Sequence, residues 1–441
     1  MRLPLTRRLR HNQRRRNLTG RMHAAPAVHA DPLPVPLRLR ECPDCGLIQR
    51  LPALPRGAVV RCLRCAAVLR RRRIDPAGRA LALALTGLLL FALALTEPFL
   101  SVRAYGIGRA MSMFSGPVAL EQNGFWPLAL AVLVTTLAAP LARLLALAYV
   151  LGALRLRRPP RHLYAVFRWS EWLDTWAMVE VFLLGVFVAY TRLIAIAHVG
   201  VGLAVYALGG LTLVVAAADA ALDREAVWQG LESKGITAGR DPGDTSGSLF
   251  GCDSCGLVSR ATHACPRCGA RARRRKPDSV TRTWALLATA AILYLPANLL
   301  PVMSVTSLGM RQTDTILGGV VELADTGMWP LAALVFFASV TVPVLKLVGL
   351  SWLLLATRRA SSRNLLTRTR IYRIVDSVGR WSMIDVFMIS ILTALVRMGL
   401  IASVQPGPAA ISFCAVVILT ILAASSFDPR LMWDAAGQNR A

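Results

Sequence analysis

Charged side chains are scarce in this sequence, and acidic ones are the scarcest. Asp, Glu, Lys and Arg make up 17% of the 441 residues, whereas a soluble domain typically has about 25%. The 24 acidic residues are outnumbered by 51 Lys and Arg, which gives a formal net charge of +27. This shortage argues against a soluble globular protein. Apolar runs of about 20 residues recur instead, long enough to cross a hydrocarbon core of about 30 Å, and they predict a membrane protein.

Motifs of catalysis and export are also missing. No Ser/His/Asp or Cys/His arrangement, Walker motif or pair of catalytic carboxylates stands out, so we do not predict an enzyme. No signal peptide is visible, because residues 1–40 are rich in Arg and Pro but have no apolar core. We expect a disordered basic arm at 1–40 that either touches anionic lipid headgroups or is simply solvated. Nucleic acid is not expected as a partner, because the basic blocks alternate with apolar runs.

Eight of the nine cysteines form two sets of paired CxxC motifs. Two CxxC turns aim four thiolates at one ion, and thiolates in tetrahedral geometry favour a structural Zn2+. An iron–sulfur centre and, in an oxidising compartment, disulfides are the alternatives. Cys414 lies alone in an apolar run and is expected to pack in the core. The two predicted zinc sites consist of Cys42, Cys45, Cys62 and Cys65, and of Cys252, Cys255, Cys265 and Cys268.

Eight apolar segments are candidate membrane spans. Arg-rich segments at 155–168 and 357–373 alternate with loops at 101–125 and 306–328 that are poor in cations. By the positive-inside rule, both termini and both cysteine quartets are cytoplasmic. The predicted spans are 80–100, 126–154, 172–197, 199–218, 284–306, 329–356, 382–402 and 408–427.

The two halves of the chain are copies of each other. Residues 124–128 (GFWPL) recur 203 residues later as GMWPL, and residues 176–182 (WAMVEVF) recur 205 residues later as WSMIDVF. Each copy begins with its cysteines and has an even number of spans, so the repeat is parallel. The predicted fold class is an all-α polytopic membrane protein with two repeated modules, each a small cytoplasmic zinc ribbon plus four transmembrane helices. The predicted domains are the arm at 1–40, ribbon 1 at 41–73, transmembrane module 1 at 80–222, a flexible Gly-rich linker at 223–250, ribbon 2 at 251–276 and transmembrane module 2 at 280–434.

Charged residues fall inside several of the predicted spans, and four of them form candidate pairs, since a charge at mid-bilayer costs at least about 2.5 kcal/mol. Arg143 and Glu180 lie at similar depth in the first module, as do Lys346 and Asp385 in the second. We therefore predict two ion pairs, Arg143–Glu180 and Lys346–Asp385. They either only hold helices together or form a proton-sensitive polar path. Titration is expected in the second module, because a buried Lys can lose its proton whereas Arg cannot.

Several neighbouring positions complete this predicted polar interior. Pro140 and Pro343 precede the two basic residues by three positions and are expected to kink spans two and six. Asn298 and Glu97 lie beside prolines in spans five and one and are candidates to line the same interior. Arg192 and its copy in the second module lie near the outer ends of their spans and are expected to snorkel to the interface.

With these motifs, the sequence resembles the paraquat-inducible protein A family of bacterial inner-membrane proteins. The resemblance covers about 41–434 and rests on the two cysteine quartets, the G-[FM]-W-P-L start of spans two and six, their Pro-x-x-[RK], and the W-x-M-[VI]-[ED]-V-F of spans three and seven. It implies a multi-pass inner-membrane component that loads or unloads phospholipid for a periplasm-spanning MCE-domain protein. The proton motive force is the implied candidate for the energy source.

Two other functions stay open at this point. The first is a non-transporting scaffold that anchors an MCE tunnel through the outer loops. The second is a zinc or redox sensor that uses the CxxC pairs. Transport requires the intramembrane charges, the scaffold requires the outer loops, and the sensor requires exchangeable metal.

Overall fold

Two small hairpin units carry the cysteine quartets. The computed structural model describes residues 38–52, 54–73, 75–104, 107–194, 198–239, 249–260, 263–307, 310–359, 362–396 and 402–438. Of the arm expected at 1–40, residues 1–37 lie outside this set, and residues 38–40 are ordered in the first strand. In ribbon 1, β1 (Arg38–Glu41) pairs with β2 (Ile48–Leu51), and β3 (Val59–Arg61) pairs with β4 (Val68–Arg71). Ribbon 2 contains the hairpin of β8 (Phe250–Gly251) and β9 (Val258–Ser259).

Helices recur in the same order in the two halves of the described chain. This agreement extends the repeat from short motifs to whole modules. In module 1 they are α1 Pro76–Thr96, α2 Ser115–Gln122, α3 Trp126–Leu133, α4 Ala139–Ala153, α5 Leu163–Leu173, α6 Val179–Leu193, α7 Leu203–Ala221 and α8 Arg224–Ser233. In module 2 they are α9 Ser279–Leu299, α10 Ile316–Asp325, α11 Trp329–Phe336, α12 Val342–Arg358, α13 Leu365–Val378, α14 Ile384–Leu395, α15 Pro408–Ser426 and α16 Arg430–Ala435.

Seven helices of the described chain are long and apolar enough to cross a membrane, whereas the sequence predicted eight spans. The third predicted span, 172–197, is the exception, because turn residues separate α5 from α6 and leave α6 only 15 residues long. In module 2 the corresponding stretch is continuous, from Leu365 to Leu395, since a 3-10 segment at Gly379–Met383 joins α13 to α14.

The prediction of an all-α fold is wrong in one respect, because each module also has a three-stranded antiparallel sheet. In module 1, β5 (Leu100–Ala104) lies between β6 (Ile107–Met111) and β7 (His198–Val201). In module 2, β10 (Met303–Ser307) lies between β11 (Met310–Asp314) and β12 (Ala402–Pro406). These strands occupy segments expected to be loops or span ends, at the end of each module away from the ribbons. Pairing satisfies their backbone polar groups where the helices stop.

The two span prolines follow π-helical turns. Val134–Ala138 precedes Pro140, and Phe337–Thr341 precedes Pro343, so each long helix changes its hydrogen-bonding register there. A proline cannot donate to the carbonyl one turn earlier, and a π turn absorbs this loss. In module 1 the carbonyl of Thr135 instead accepts the backbone N–H of Met178 at 3.2 Å, just before α6. Both long helices are therefore irregular before their prolines, and the kink expected there stays a prediction.

Equivalent aromatic residues meet where the two modules join. Phe182 of α6 and Phe387 of α14 occupy the same repeat position, and their rings pack edge to face with centroids 5.6 Å apart. Gly185 allows this approach, because a Cβ built on it would lie 2.9 Å from the Cβ of Phe387. The two copies of the repeat therefore pack against each other through α6 and α14.

Each ribbon packs against the transmembrane module of the other half. The buried side of ribbon 1 shares a hydrophobic cluster with module 2, including Leu350, Phe427 and Trp433. The buried side of ribbon 2 shares one with module 1, including Phe167 and Trp228. We call this arrangement the crossed ribbons.

Two arginines at the same repeat position hold the crossed ribbons. Arg168 of α5 donates to the carbonyl of Cys268 at 3.0 Å. Arg373 of α13 donates to the carbonyl of Cys65 at 3.0 Å and pairs with Asp44. Each arginine thus contacts the last cysteine of the opposite ribbon.

The linker expected at 223–250 is also partly ordered by ribbon 2. Its first part forms α8, whose Glu225 and Glu232 bind Arg267 of the ribbon at 3.1 and 2.6 Å. Burial opposes ionisation of Glu225, but Arg267 nevertheless holds the pKa of this carboxyl below its ordinary value. Residues 240–248 lie outside the described set, so the flexibility predicted there stays a prediction.

A further contact links the two ribbons to each other. Arg430 of α16 pairs with Glu41 of ribbon 1 and with Asp253 of ribbon 2.

Substitution of Gly185 tests the contact between the modules. Gly185→Ala places a methyl group against Phe387 and should destabilise the protein by about 1–3 kcal/mol through overpacking. Gly209→Ala is the matched control, because a Cβ at this helical glycine has nothing within 4 Å. Thermal unfolding of purified protein measures both. Equal melting temperatures for the two variants would contradict this packing.

The crossed ribbons predict that damage to one ribbon loosens the opposite module. Cys65→Ser should raise amide hydrogen exchange in α13 and α16 and leave α5 unchanged. Cys268→Ser should do the reverse, raising exchange in α5 and α8. Hydrogen exchange followed by mass spectrometry measures all four helices in each variant. Increased exchange in the module of the same half would show that the ribbons are not crossed.

Candidate metal centres and buried polar residues

The eight paired cysteines form two compact buried groups. Within each quartet the four Sγ atoms all lie within 4.8 Å of one another. The closest sulfur pairs are 3.4 and 3.5 Å apart in ribbon 1 and 3.6 and 3.5 Å apart in ribbon 2. Zn–S bonds of about 2.3 Å give tetrahedral edges of about 3.8 Å, whereas a disulfide bond is about 2.05 Å long. Both quartets can therefore hold a metal ion.

Tight turns place the thiolates. Gly46, Gly256 and Gly269 each follow a CxxC pair with positive φ, and Ala66 adopts the same conformation with φ 57°. The backbone N–H of each turn bonds back to the first cysteine, as in the 2.9 Å bond from Gly46 to Cys42. Cys414 is buried in the core of the bundle, away from both quartets, as predicted.

The predicted ion pair between Arg143 and Glu180 is absent. Arg143 is buried and pairs with Asp174 at 2.9 Å and with Asp219. Glu180 is 49% exposed in the first turn of α6 and lies 3.7 Å from Arg380 of the other module. Depth along the membrane normal placed the two residues together, but it gives no information about the direction in which each helix face points.

The predicted pair between Lys346 and Asp385 is also absent. The Lys346 side chain is 1% exposed. Its ammonium donates to Gly379 O at 2.7 Å, Thr420 Oγ1 at 3.1 Å and Ser382 Oγ at 3.3 Å. Three neutral acceptors use the three N–H groups of the ammonium. The 3-10 segment before α14 supplies two of these acceptors, which no span prediction anticipated.

Asp385 is left as a buried carboxyl group without a salt-bridge partner among the described residues. It is 3% exposed, and neither of its oxygens accepts a hydrogen bond of ordinary geometry. The hydroxyl of Ser339 lies beside the carboxyl but donates to Val335 O at 2.6 Å. Every residue of α14 is buried, and the hydroxyls of Ser390 and Thr393 on this helix are likewise unsatisfied. Buried polar groups are nearly always hydrogen-bonded, so each exception requires an explanation. Among the described helices, α14 is therefore buried along its whole length and has the most side-chain polar atoms without a hydrogen-bond partner.

Arg192 faces this region from the other module, contrary to the snorkelling expected for it. Its guanidinium donates to Gly319 O of α10 at 3.1 Å, and its Nε is buried without a partner. Asp385 and Glu322 both act on it electrostatically. The carboxyl of Asp385 is thus within electrostatic range of a cation of the first module, although the two residues do not form an ion pair. The intramembrane position of Arg192 was visible in the sequence, but its direction was not.

The remaining predicted residues lie elsewhere. Asn298 is half-buried near the end of α9 away from ribbon 2, and its amide donates to Tyr294 O within the same helix at 2.9 Å. Glu97 is the half-buried C-cap residue of α1. The lining role expected for both stays a prediction. Asp219 was missed because it lies one residue beyond the predicted span 199–218, and Asp174 because it lies at the start of the predicted span 172–197 and was not considered as a partner.

Two four-cysteine centres, paired helical modules and long apolar helices together define a multi-pass membrane protein with an internal repeat. The family model of Paraquat-inducible protein A matches residues 78–232 and again 280–437. The chain belongs to this family, and the double match supports the repeat independently of the structure.

Curated relatives match over nearly the whole chain. It is 34% identical to Intermembrane transport protein PqiA of Escherichia coli K12 over 89% of this chain and 95% of the relative. It is 33% identical to Lipophilic envelope-spanning tunnel protein A of the same organism, over 90% and 91%. It is 26% identical to a Probable intermembrane transport protein of Haemophilus influenzae, over 90% and 96%. No solved structure matches the chain.

The two quartets predict a metal content of two ions per chain. Cys65→Ser should lower this to one, and Cys65→Ser combined with Cys268→Ser should abolish it, because three thiolates do not close a tetrahedral site. Cys414→Ser is the control and should retain both ions. Elemental analysis of the purified protein gives the ratio and the identity of the metal. Protein that carries no metal when prepared without chelators would contradict the assignment.

Proposed function

We propose that this protein is the inner-membrane component of a bacterial intermembrane phospholipid transport system. It exchanges lipid with a periplasm-spanning MCE-domain protein, and both termini and both ribbons are cytoplasmic. Support comes from the names of its relatives, two of which describe intermembrane transport and one an envelope-spanning tunnel. The cation-rich segments on the ribbon side support the orientation.

The observation that carries the proposal is the unsatisfied carboxyl of Asp385 at the junction of the modules. A buried carboxylate without donors is costly, and it is relieved by a proton, a cation or a hydrogen-bond donor. Asp385 lies on the same helix as Phe387, through which the two modules pack. Binding of a proton, a cation or a hydrogen-bond donor to this carboxyl therefore changes the charge next to the contact between the modules. We infer that it is the point at which a proton or a lipid headgroup acts on the relative position of the modules.

The two buried basic residues have a different role in this proposal. Arg143 is neutralised by two carboxylates, and the ammonium of Lys346 is hydrogen-bonded by three neutral acceptors. Both basic residues therefore hold helices together, which is the simpler interpretation of intramembrane charge. The polar path is reduced to Asp385, Arg192 and the hydroxyls of α14.

We infer that both metal centres contain structural Zn2+. Four buried thiolates leave no open position for a substrate. All eight ligands are buried against the crossed modules, which disfavours the rapid exchange that a metal or redox sensor needs. The ribbons thus serve as fixed points at the cytoplasmic side.

Lipid transfer by the purified protein together with its MCE partner tests the role of Asp385. Asp385→Asn should lower the transfer rate about tenfold or more, which corresponds to about 1.4 kcal/mol, because the amide cannot ionise. Transfer of fluorescent phospholipid between proteoliposomes and acceptor vesicles measures the rate.

Glu180→Gln is the matched control, because Glu180 occupies the same repeat position but is half-exposed. It should transfer lipid at close to the wild-type rate. Full transfer by Asp385→Asn would remove the polar path from the mechanism. If transfer is then lost only when the sheets β5–β7 and β10–β12 are disrupted, the protein is a scaffold rather than a transporter.

A further inference from the structure

A groove of about 600 Å³ opens between ribbon 1 and the neighbouring ends of α1 and α7. Three arginines form its rim, and small apolar side chains of the two helices form its floor. No acidic residue of the described chain lines it. The rim is Arg72, Arg73 and Arg79, and the floor includes Ala82, Ala217 and Ala221.

Two of the rim arginines are available to a ligand. Arg73 and Arg79 have no ion-pair or hydrogen-bond partner for their side chains within the described residues. Arg72 donates one N–H to Leu54 O at 2.5 Å, which fixes the rim to ribbon 1. The nearest acidic residue along the chain, Asp75, is occupied as the N-cap of α1 and accepts from Gly78 N at 3.2 Å.

Module 2 uses the equivalent positions for internal contacts. Arg275 and Lys276 lie 203 residues after Arg72 and Arg73. Arg275 pairs with Asp434 at 2.6 Å, and Lys276 donates to Ser425 O at 2.6 Å. On the floor, Leu422 replaces Ala217. Module 1 thus has the equivalent cations without these internal partners, and with a smaller side chain on the floor beneath them.

We propose that this groove binds the headgroup of an anionic phospholipid from the membrane leaflet that borders the ribbons. The phosphate lies among the three arginines, and an acyl chain runs along the alanine floor. That floor continues into the exposed apolar face of the same helices, where Leu89 and Leu213 are 72% and 74% exposed. Basic pockets at the ends of membrane helices are suited to anionic headgroups. The site depends only on insertion in the membrane and not on the proposed transport.

Lipid retention during native mass spectrometry tests the site. The wild-type protein, incubated with phosphatidylglycerol or with phosphatidylcholine of the same acyl chains, should retain phosphatidylglycerol preferentially. Arg73→Gln with Arg79→Gln should weaken this retention, about fivefold for each charge removed. Arg282→Gln is the control, because Arg282 is the exposed counterpart of Arg79 in module 2 and should leave retention unchanged.

Three results would overturn the proposal. Undiminished phosphatidylglycerol retention by the double variant would exclude the two arginines. Equal retention of both lipids by the wild type would show that charge is not recognised. Displacement of the lipid by soluble glycerol phosphate would show a site for free anions rather than for a lipid. Thermal unfolding of the double variant, expected to match the wild type, shows that the fold is intact, because both side chains are at the surface.

Discussion

The crossed packing of the ribbons is the constraint on which the rest of this structure depends. Ribbon 1 precedes module 1 in the chain but packs on module 2, while ribbon 2 packs back on module 1. The chain therefore closes on itself at the ribbon side, where Arg430 joins Glu41 and Asp253. Neither module can be displaced at that side without separating a cysteine quartet from its apolar support.

Within this closed arrangement, the two modules have diverged in how they satisfy their buried charges. Module 1 neutralises Arg143 with carboxylates from α7 and from the end of α5. Module 2 satisfies Lys346 with neutral oxygens, which leaves Asp385 free of it. A buried charge without a partner is strongly destabilising. Asp385 lies in α14, a helix in which every residue is buried, so in the proposed mechanism a change at this carboxyl would act next to the contact between the modules.

The cysteine motifs and the internal repeat predicted the architecture well. The depth of a charged residue within its span predicted its side-chain partner poorly. The cysteine spacing, the repeat and most helix positions could be inferred because each depends on local sequence. The strands at 100–111 and 303–314 were missed, because apolar alternation beside a span looks like the end of that span. The partners of Arg143 and Lys346 were missed because helix rotation and the 3-10 segment before α14 are consequences of packing. Arg192 shows the same limit, since its depth could be read from its position in the span, but only the fold shows that its side chain reaches the other module.

The groove beside ribbon 1 follows from the same divergence. When a repeat duplicates, both copies inherit cations next to the first helix, and each copy must find partners for them. Module 2 ties Arg275 and Lys276 to its own C-terminal segment, which packs under ribbon 1 and completes the closure of the chain. In module 1 the corresponding segment, α8, is held by Arg267 of ribbon 2. Its carboxylates are therefore not available to Arg73 and Arg79. An unpaired cation at a membrane surface attracts anionic headgroups. Because module 2 uses its cations for contacts within the chain, the proposed lipid site lies on module 1.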